Sequence, residues 1–171
     1  MSVKHIQNSV NDVIAYLTEN PKDPVSTSAQ IIAVTEQGLR CRATGEDGKT
    51  IVTDMPKAVG GGGTVPSPGW LARAALATCD ATRMAMRAAE LGISLDTLQV
   101  TTYSVDDDRG LFGMDKSIRA GSLSLRTRGT IGAAGIGEKK LREIVDYAVT
   151  HSPVADSCRG ETPSKAEVNI V

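Results

Sequence analysis

The stretch Gly60–Gly92, reading GGGGTVPSPGWLARAALATCDATRMAMRAAELG, constrains this chain more than any other. Four glycines lead into two prolines, and from Trp70 to Leu91 about 22 residues follow without Gly or Pro. Ala, Leu, Met, Arg and Glu dominate that run, and all are strong helix formers. Ser67 is the expected N-cap and Pro68 the first helical residue, where a missing N–H costs nothing. Gly92 is the expected C-cap. Such a helix would be about 33 Å long, the width of a small domain. Leu71, Ala74, Ala75, Cys79, Thr82, Met86 and Ala89 fall near one stripe, and its alanines let another backbone approach closely. One thiol, Cys79, stands in the middle. This helix is expected to be the core of the fold and the seat of any chemistry.

The rest of the chain arranges itself around that helix. Val3, Ile6, Val10, Val13, Ile14 and Leu17 repeat at helical spacing, so Ser2–Glu19 reads as an amphipathic helix ended by Asn20 and Pro21. Its apolar face must dock on its own domain or on a second subunit. A polar linker reaches Ser28, which makes 1–27 an N-terminal helix with linker and 28–171 the main domain. Ala29–Thr35, Leu39–Thr44 and Thr50–Asp54 read as three strands, joined at Glu36-Gln37-Gly38 and Glu46-Asp47-Gly48. The glycine run matches neither a phosphate loop nor a dinucleotide fingerprint, so it is read as backbone passing close to a neighbouring element. Leu98–Val105 and Ser117–Ile131 read as long strands around a loop with the acidic triplet Asp106-Asp107-Asp108, which lacks the spaced ligands of a calcium loop. Glu138–His151 reads as a second helix with Leu141, Ile144, Val145, Ala148 and Val149 inward, stopped by Pro153. Asp156–Ser164 reads as loop and Ala166–Val171 as a closing strand. The order predicts an α+β fold, an antiparallel sheet packed on a long central helix.

Composition narrows the function. The chain of 171 residues fits one domain with an ample core, and 40% hydrophobic with 23% charged residues marks a soluble globular protein. A formal net charge of -1 gives no electrostatic footprint for nucleic acid or an acidic membrane surface. No apolar run approaches the roughly 20 residues of a membrane span, and the N-terminus lacks a signal-peptide core, so a cytoplasmic location is expected. Three widely spaced cysteines, Cys41, Cys79 and Cys158, make neither a disulfide framework nor a metal site with the two histidines. Cys41 is read as core packing on a strand face, Asp80 and Arg83 as a helix surface pair, and His151 as a complement to the helix dipole.

Several motifs follow one another in a familiar order. They are Asp54-Met55-Pro56, the glycines 60–63, Pro66-Ser67-Pro68, Leu71–Cys79 (LARAALATC) and Ala148–Val154 (AVTHSPV). Over roughly residues 28–171 the chain resembles the OsmC/Ohr family, named for osmotically inducible protein C and organic hydroperoxide resistance protein. The resemblance implies an intertwined homodimer, with sheets built from strands of both subunits and long helices buried between them. It implies reduction of organic hydroperoxides by a peroxidatic cysteine in the central helix, the position held here by Cys79. It implies a resolving cysteine in a Cys-Pro-Val motif, where this chain has Ser152-Pro153-Val154, and a glutamate ten positions before the thiol, where it has Gly69. An arginine from the early strands is also implied, with Arg40 and Arg42 as candidates.

The chemistry can be reasoned from the residues as well. Attack on an O–O bond needs a thiolate, and a free thiol with pKa near 8.5 is only a few per cent ionised at neutral pH. Mid-helix, the dipole gives Cys79 little help. Arg83, four residues on, is placed to reach back, and Arg40 or Arg42 could serve from the sheet or a partner subunit. The sulfenic acid then needs a second thiol, and Cys158, six residues after Ser152, is the candidate within this chain. The resulting expectation is a thiol-dependent peroxidase acting on organic or lipid hydroperoxides, needing no metal or organic cofactor and consuming a dithiol reductant. The alternative is a non-catalytic OsmC-like dimer that binds a small hydrophobic ligand or senses oxidation. Ser152 and Gly69 favour that alternative; Cys79 and the arginines favour the enzyme.

Overall fold

A computed structural model describes residues 2–160, 162–168 and 170. In order they form α1 (Val3–Glu19), β1 (Ile31–Gln37), β2 (Arg40–Gly45), β3 (Thr50–Thr53), α2 (Pro68–Glu90), β4 (Thr97–Val105), α3 (Asp108–Leu111), β5 (Ser124–Gly132), α4 (Glu138–Thr150) and α5 (Pro153–Arg159). The chain divides into two compact units. One comprises Met1–Gln7, Leu76–Thr102 and Arg126–Val171, and the other Asn8–Ala75 and Tyr103–Leu125.

The second unit carries the antiparallel meander β1-β2-β3. Its turns use Gly38 and Gly48 with φ of +59° and +77°, conformations that residues with a Cβ rarely adopt. Pairing runs from Ile31↔Gly45 to Thr35↔Cys41 and then skips Glu36 before Gln37↔Arg40, a β-bulge. The glycine run that follows is clasped by Asp54. Buried, it accepts the N–H groups of Met55 at 2.8 Å and Gly62 at 2.9 Å. A Cβ on Gly61 would lie 1.9 Å from the Met55 carbonyl oxygen. The close backbone approach read from the sequence is therefore literal.

The first unit holds the core. Met84, Ala88, Ile93, Ile144 and Ala148 form its buried cluster, and Leu98, Val100, Ile131, Leu141, Val145 and Val149 pack against it. Helix α2 begins as expected, with the Ser67 Oγ accepting the Trp70 N–H at 3.2 Å. It ends in a Schellman arrangement at Gly92, φ +70°, with Ile93 N–H bonded to Ala88 O at 2.8 Å and Gly92 N–H to Ala89 O at 2.9 Å. The buried face of α2, however, runs through Leu76, Asp80, Met84, Ala88 and Ala89. That is about one residue, or 100°, from the expected stripe. Charged Asp80 hid the true i, i+4 repeat, while Ala75 and Thr82 are exposed.

The sheet β4-β5 is antiparallel, as the falling partner numbers Asp96→Gly132 and Leu123→Val105 require. The predicted strand over Ser117–Ile131 exists only from Ser124 onward. Before it, Asp115 accepts both the N–H and hydroxyl of Ser117, and Gly110 lies against the Arg119 carbonyl, so the segment turns back on α3. The acidic triplet starts that short helix: Asp107 accepts the Arg109 N–H as its N-cap and pairs with the Arg109 guanidinium. Pro153 stops α4, yet the loop expected over Asp156–Ser164 begins as helix α5, with Ser152 at N-cap and Pro153 in its first turn. The expected closing strand is absent among the described residues 166–168 and 170; Asn169 and Val171 lie outside them.

The Asp54 clasp makes a direct prediction. Gly61→Ala must displace backbone, so it should lower stability by about 2 kcal/mol or more. Gly137→Ala, which meets no heavy atom within 4 Å, should change the melting temperature little.

Candidate functional site

Helix α2 brings Cys79 to a half-buried position, and its thiol is free of any disulfide. The packing of α4 on the second half of α2 sets where the next segment starts. His151 caps α4, with its N–H on the Tyr147 carbonyl at 3.0 Å and its ring stacked on Tyr147 at 4.1 Å between centroids. The following residue, Ser152, has no exposed surface and places its hydroxyl 3.3 Å from Cys79 Sγ, donating to the sulfur. The fold therefore juxtaposes the central thiol with the residue at which the resemblance implies a second cysteine.

Cys158 lies in the last turn of α5, exposed rather than in a loop. Ser152 and Cys158 thus mark the two ends of one short helix, six residues and about 9 Å apart along its axis.

The arginines are placed as follows. Arg83 does not pair with Asp80. It runs toward the C-terminal end of α2, with Nη1 3.5 Å from Met86 Sδ and 3.9 Å from Glu90 Oε1, and with its guanidinium 5.7 Å from the Tyr147 ring centre. Arg87 makes the tighter contact with Glu90, at 2.8 Å, and stacks on Tyr147 at 4.1 Å. Glu90 also ties down α1, since the Gln7 side chain donates to its carbonyl at 3.0 Å. In the other unit, Arg40 and Arg42 share the bulged Glu36, at 3.2 Å and 2.6 Å. Arg42 chiefly, with Arg40 behind it, holds the Glu36 carboxyl below its ordinary range. Two guanidinium groups against one carboxylate leave one positive charge on that strand. Gly69 opens the first turn of α2, and a Cβ there would meet the Arg73 guanidinium at 3.8 Å.

Asp80 is the residue that pattern reading missed. It was expected on the helix surface, but it is 2% exposed, and its Oδ1 has no hydrogen-bond partner. Arg83 Nε is likewise buried and unpartnered. The signal lay in the i, i+4 series Leu76, Asp80, Met84, Ala88, in which a carboxylate takes an apolar place. Cys41, expected as core packing, is instead half-buried on β2 outside the buried cluster, with its sulfur 3.7 Å from the Thr35 hydroxyl. Separately, a groove of about 500 Å³ runs between β5 and α4, lined by Ile131, Leu141 and Val145 with the Glu138–Arg142 ion pair beside them.

The fold and the thiol define a class. The family profile described as OsmC-like protein matches residues 61–167, and the chain belongs to that family. Solved structures share the fold. An OsmC-like protein from Mycoplasma pneumoniae is 16% identical, with TM-score 0.66, over 80% of this chain and 90% of that one. An organic hydroperoxide resistance protein OsmC from Legionella pneumophila is 20% identical, with TM-score 0.56, over 79% and 93%. OhrB of Bacillus subtilis, an organic hydroperoxide resistance protein, is 21% identical, with TM-score 0.51, over 78% and 92%. No curated protein sequence matches the chain. Among the described residues no helix is long and apolar enough to cross a membrane.

A buried carboxylate oxygen without a partner is a standing cost. Asp80→Asn keeps the shape and removes the charge, so it should stabilise the fold by about 1 kcal/mol. Thermal melting checks this; a lowered melting temperature would show that the ionised carboxylate is held by a partner in solution.

Proposed function

We propose that the protein is a thiol-dependent peroxidase that reduces organic or lipid hydroperoxides, with Cys79 as the attacking thiol. The observation that carries this is a free, half-buried thiol in the middle of α2, with a buried hydroxyl aimed at its sulfur, in a chain of the OsmC family. Two of the proteins that share its fold are organic hydroperoxide resistance proteins. In the reaction the Cys79 thiolate takes the distal peroxide oxygen, the O–O bond breaks, and the alkoxide leaves as an alcohol after gaining a proton. The sulfur becomes a sulfenic acid. In this reading positive charge for the thiolate and the departing alkoxide is assigned to Arg83, which must turn from Met86 and Glu90 to supply it, or to Arg40 or Arg42 from the sheet or a partner subunit.

Cys158 is the resolving thiol of this reading. Its sulfur condenses with the sulfenic acid, water leaves, and a dithiol reductant then restores both thiols. A disulfide needs Cα atoms within about 7 Å. Helix α5 has seven residues, so this reading requires only that short helix to open for Cys158 to reach the sulfenic acid.

The reading includes a homodimer. Ile31 and Ile32, neighbours on β1 that point to opposite faces of the sheet, are 69% and 63% exposed. Val13 and Ile14 on α1 and Phe112 and Met114 after α3 are exposed as well. Apolar exposure on this scale supports a partner surface in this reading.

One observation favours a second reading, a non-catalytic dimer that binds a small hydrophobic ligand: the β5/α4 groove has the volume of a ligand site. Turnover separates the two. With dithiothreitol and cumene hydroperoxide the wild type should consume peroxide, and Cys79→Ser should fall to background. Equal background rates in both would remove the peroxidase reading. After one equivalent of peroxide, mass spectrometry should find a Cys79–Cys158 crosslink and loss of two hydrogens; an added oxygen without a crosslink would remove Cys158 from its role. Light scattering should give twice the monomer mass, and a monomer at micromolar concentration would refute the dimer.

A further inference from the structure

The hydroxyl of Ser152 has few options. Its oxygen accepts the Ala155 N–H at 3.4 Å, as the N-cap of α5. Its own proton is then free to be directed, and the residue has no contact with solvent. The acceptor in reach is Cys79 Sγ at 3.3 Å. A buried hydroxyl that donates to nothing is costly, so the O–H stays on the sulfur. Hydrogen bonds to ionised acceptors are markedly stronger than those to neutral ones, so the same donor favours thiolate over thiol.

We propose that Ser152 is a catalytic residue of the thiol chemistry: its hydroxyl donates to the Cys79 sulfur, favours the charged nucleophile over the neutral thiol, and fills the place from which an adjacent thiol would attack it once oxidised. The inference rests on Cys79 being the reacting thiol. It also explains why resolution must come from a thiol that travels, from α5 or from solution. A serine beside the sulfenic acid donates a hydrogen bond but forms no S–S bond. A thiol at the same place would condense with it, S–OH and S–H giving S–S and water.

The test uses the full chain with Cys41→Ser and Cys158→Ser, which leaves Cys79 as its sole thiol. Glycine is nearly as good an N-cap as serine, so Ser152→Gly removes the donor while leaving α5 capped. Ser152→Thr keeps both donor and cap. The thiolate-to-thiol ratio is read from ultraviolet thiolate absorbance, at the pH where the parent is half ionised. It should fall about threefold to tenfold in Ser152→Gly and be retained in Ser152→Thr. A third variant, Ser152→Cys, treated with one equivalent of cumene hydroperoxide, should link the introduced thiol to Cys79 and lose two hydrogens, where the parent gains one oxygen. An unchanged ratio in Ser152→Gly, or a Ser152→Cys protein that gains oxygen without crosslinking, would overturn the proposal. The absorbance needs no turnover, so a parent that ionises as described but reduces no peroxide would refute the peroxidase reading and leave the role of Ser152 at the sulfur standing.

Discussion

The packing of Ile144 and Ala148 against Met84, Ala88 and Ile93 is the contact on which the site depends. Ile144 and Ala148 have no exposed surface. An aliphatic interface of this kind tolerates little sliding, because close-packed side chains lose contact energy over fractions of an ångström. It fixes the end of α4, and therefore fixes where Ser152 must stand. The core of Leu, Ile, Val, Met and Ala thus does more than stabilise: it places a buried hydroxyl against a thiol held by a residue 73 positions away in the chain.

Helix ends finish that work. The Schellman turn at Gly92 closes α2 and returns the chain through Ile93 into the core. The stacked His151 and Tyr147 close α4, and Ser152-Pro153 open α5 with no intervening loop. Two helices joined so tightly leave the linking residue almost no freedom. Ser152 spends its oxygen on the cap and its proton on the sulfur, so one side chain answers both to the fold and to the site.

Much of this was legible in the sequence, for definite reasons. The bounds of α2 follow from Ser67, Pro68 and Gly92, each used in the structure for the chemistry that made it recognisable. The inward face of α4 follows from five aliphatic residues at helical spacing. The readings that failed have causes as definite. Asp80 breaks the apolar repeat of α2 and turned the expected stripe by about one residue. Pro153 reads as a terminator and is also a good first helical residue, and only tertiary placement shows it acting as both. The segment before β5 alternates like a strand, but Asp115 and Gly110 bind it into turns that no periodicity reveals. The contact of Cys79 with Ser152 spans two helices, so no periodicity reveals it; only the resemblance, which implies a second cysteine at position 152, pointed to that residue.

The placement of charge gives the site its particular character. Arg83, the cation expected at the thiol, is drawn toward Met86, Glu90 and Tyr147, and Glu90 also holds Arg87. The carboxylate next to Cys79 in sequence is buried, with one oxygen unpaired. Consecutive residues on a helix point about 100° apart, so Asp80 and the sulfur face different surroundings and do not bond. The hydrogen-bond partner of the sulfur is instead a neutral hydroxyl. A neutral donor steadies developing negative charge without a counter-ion of its own, and it needs no rearrangement when charge appears, because its direction is set by the cap it serves.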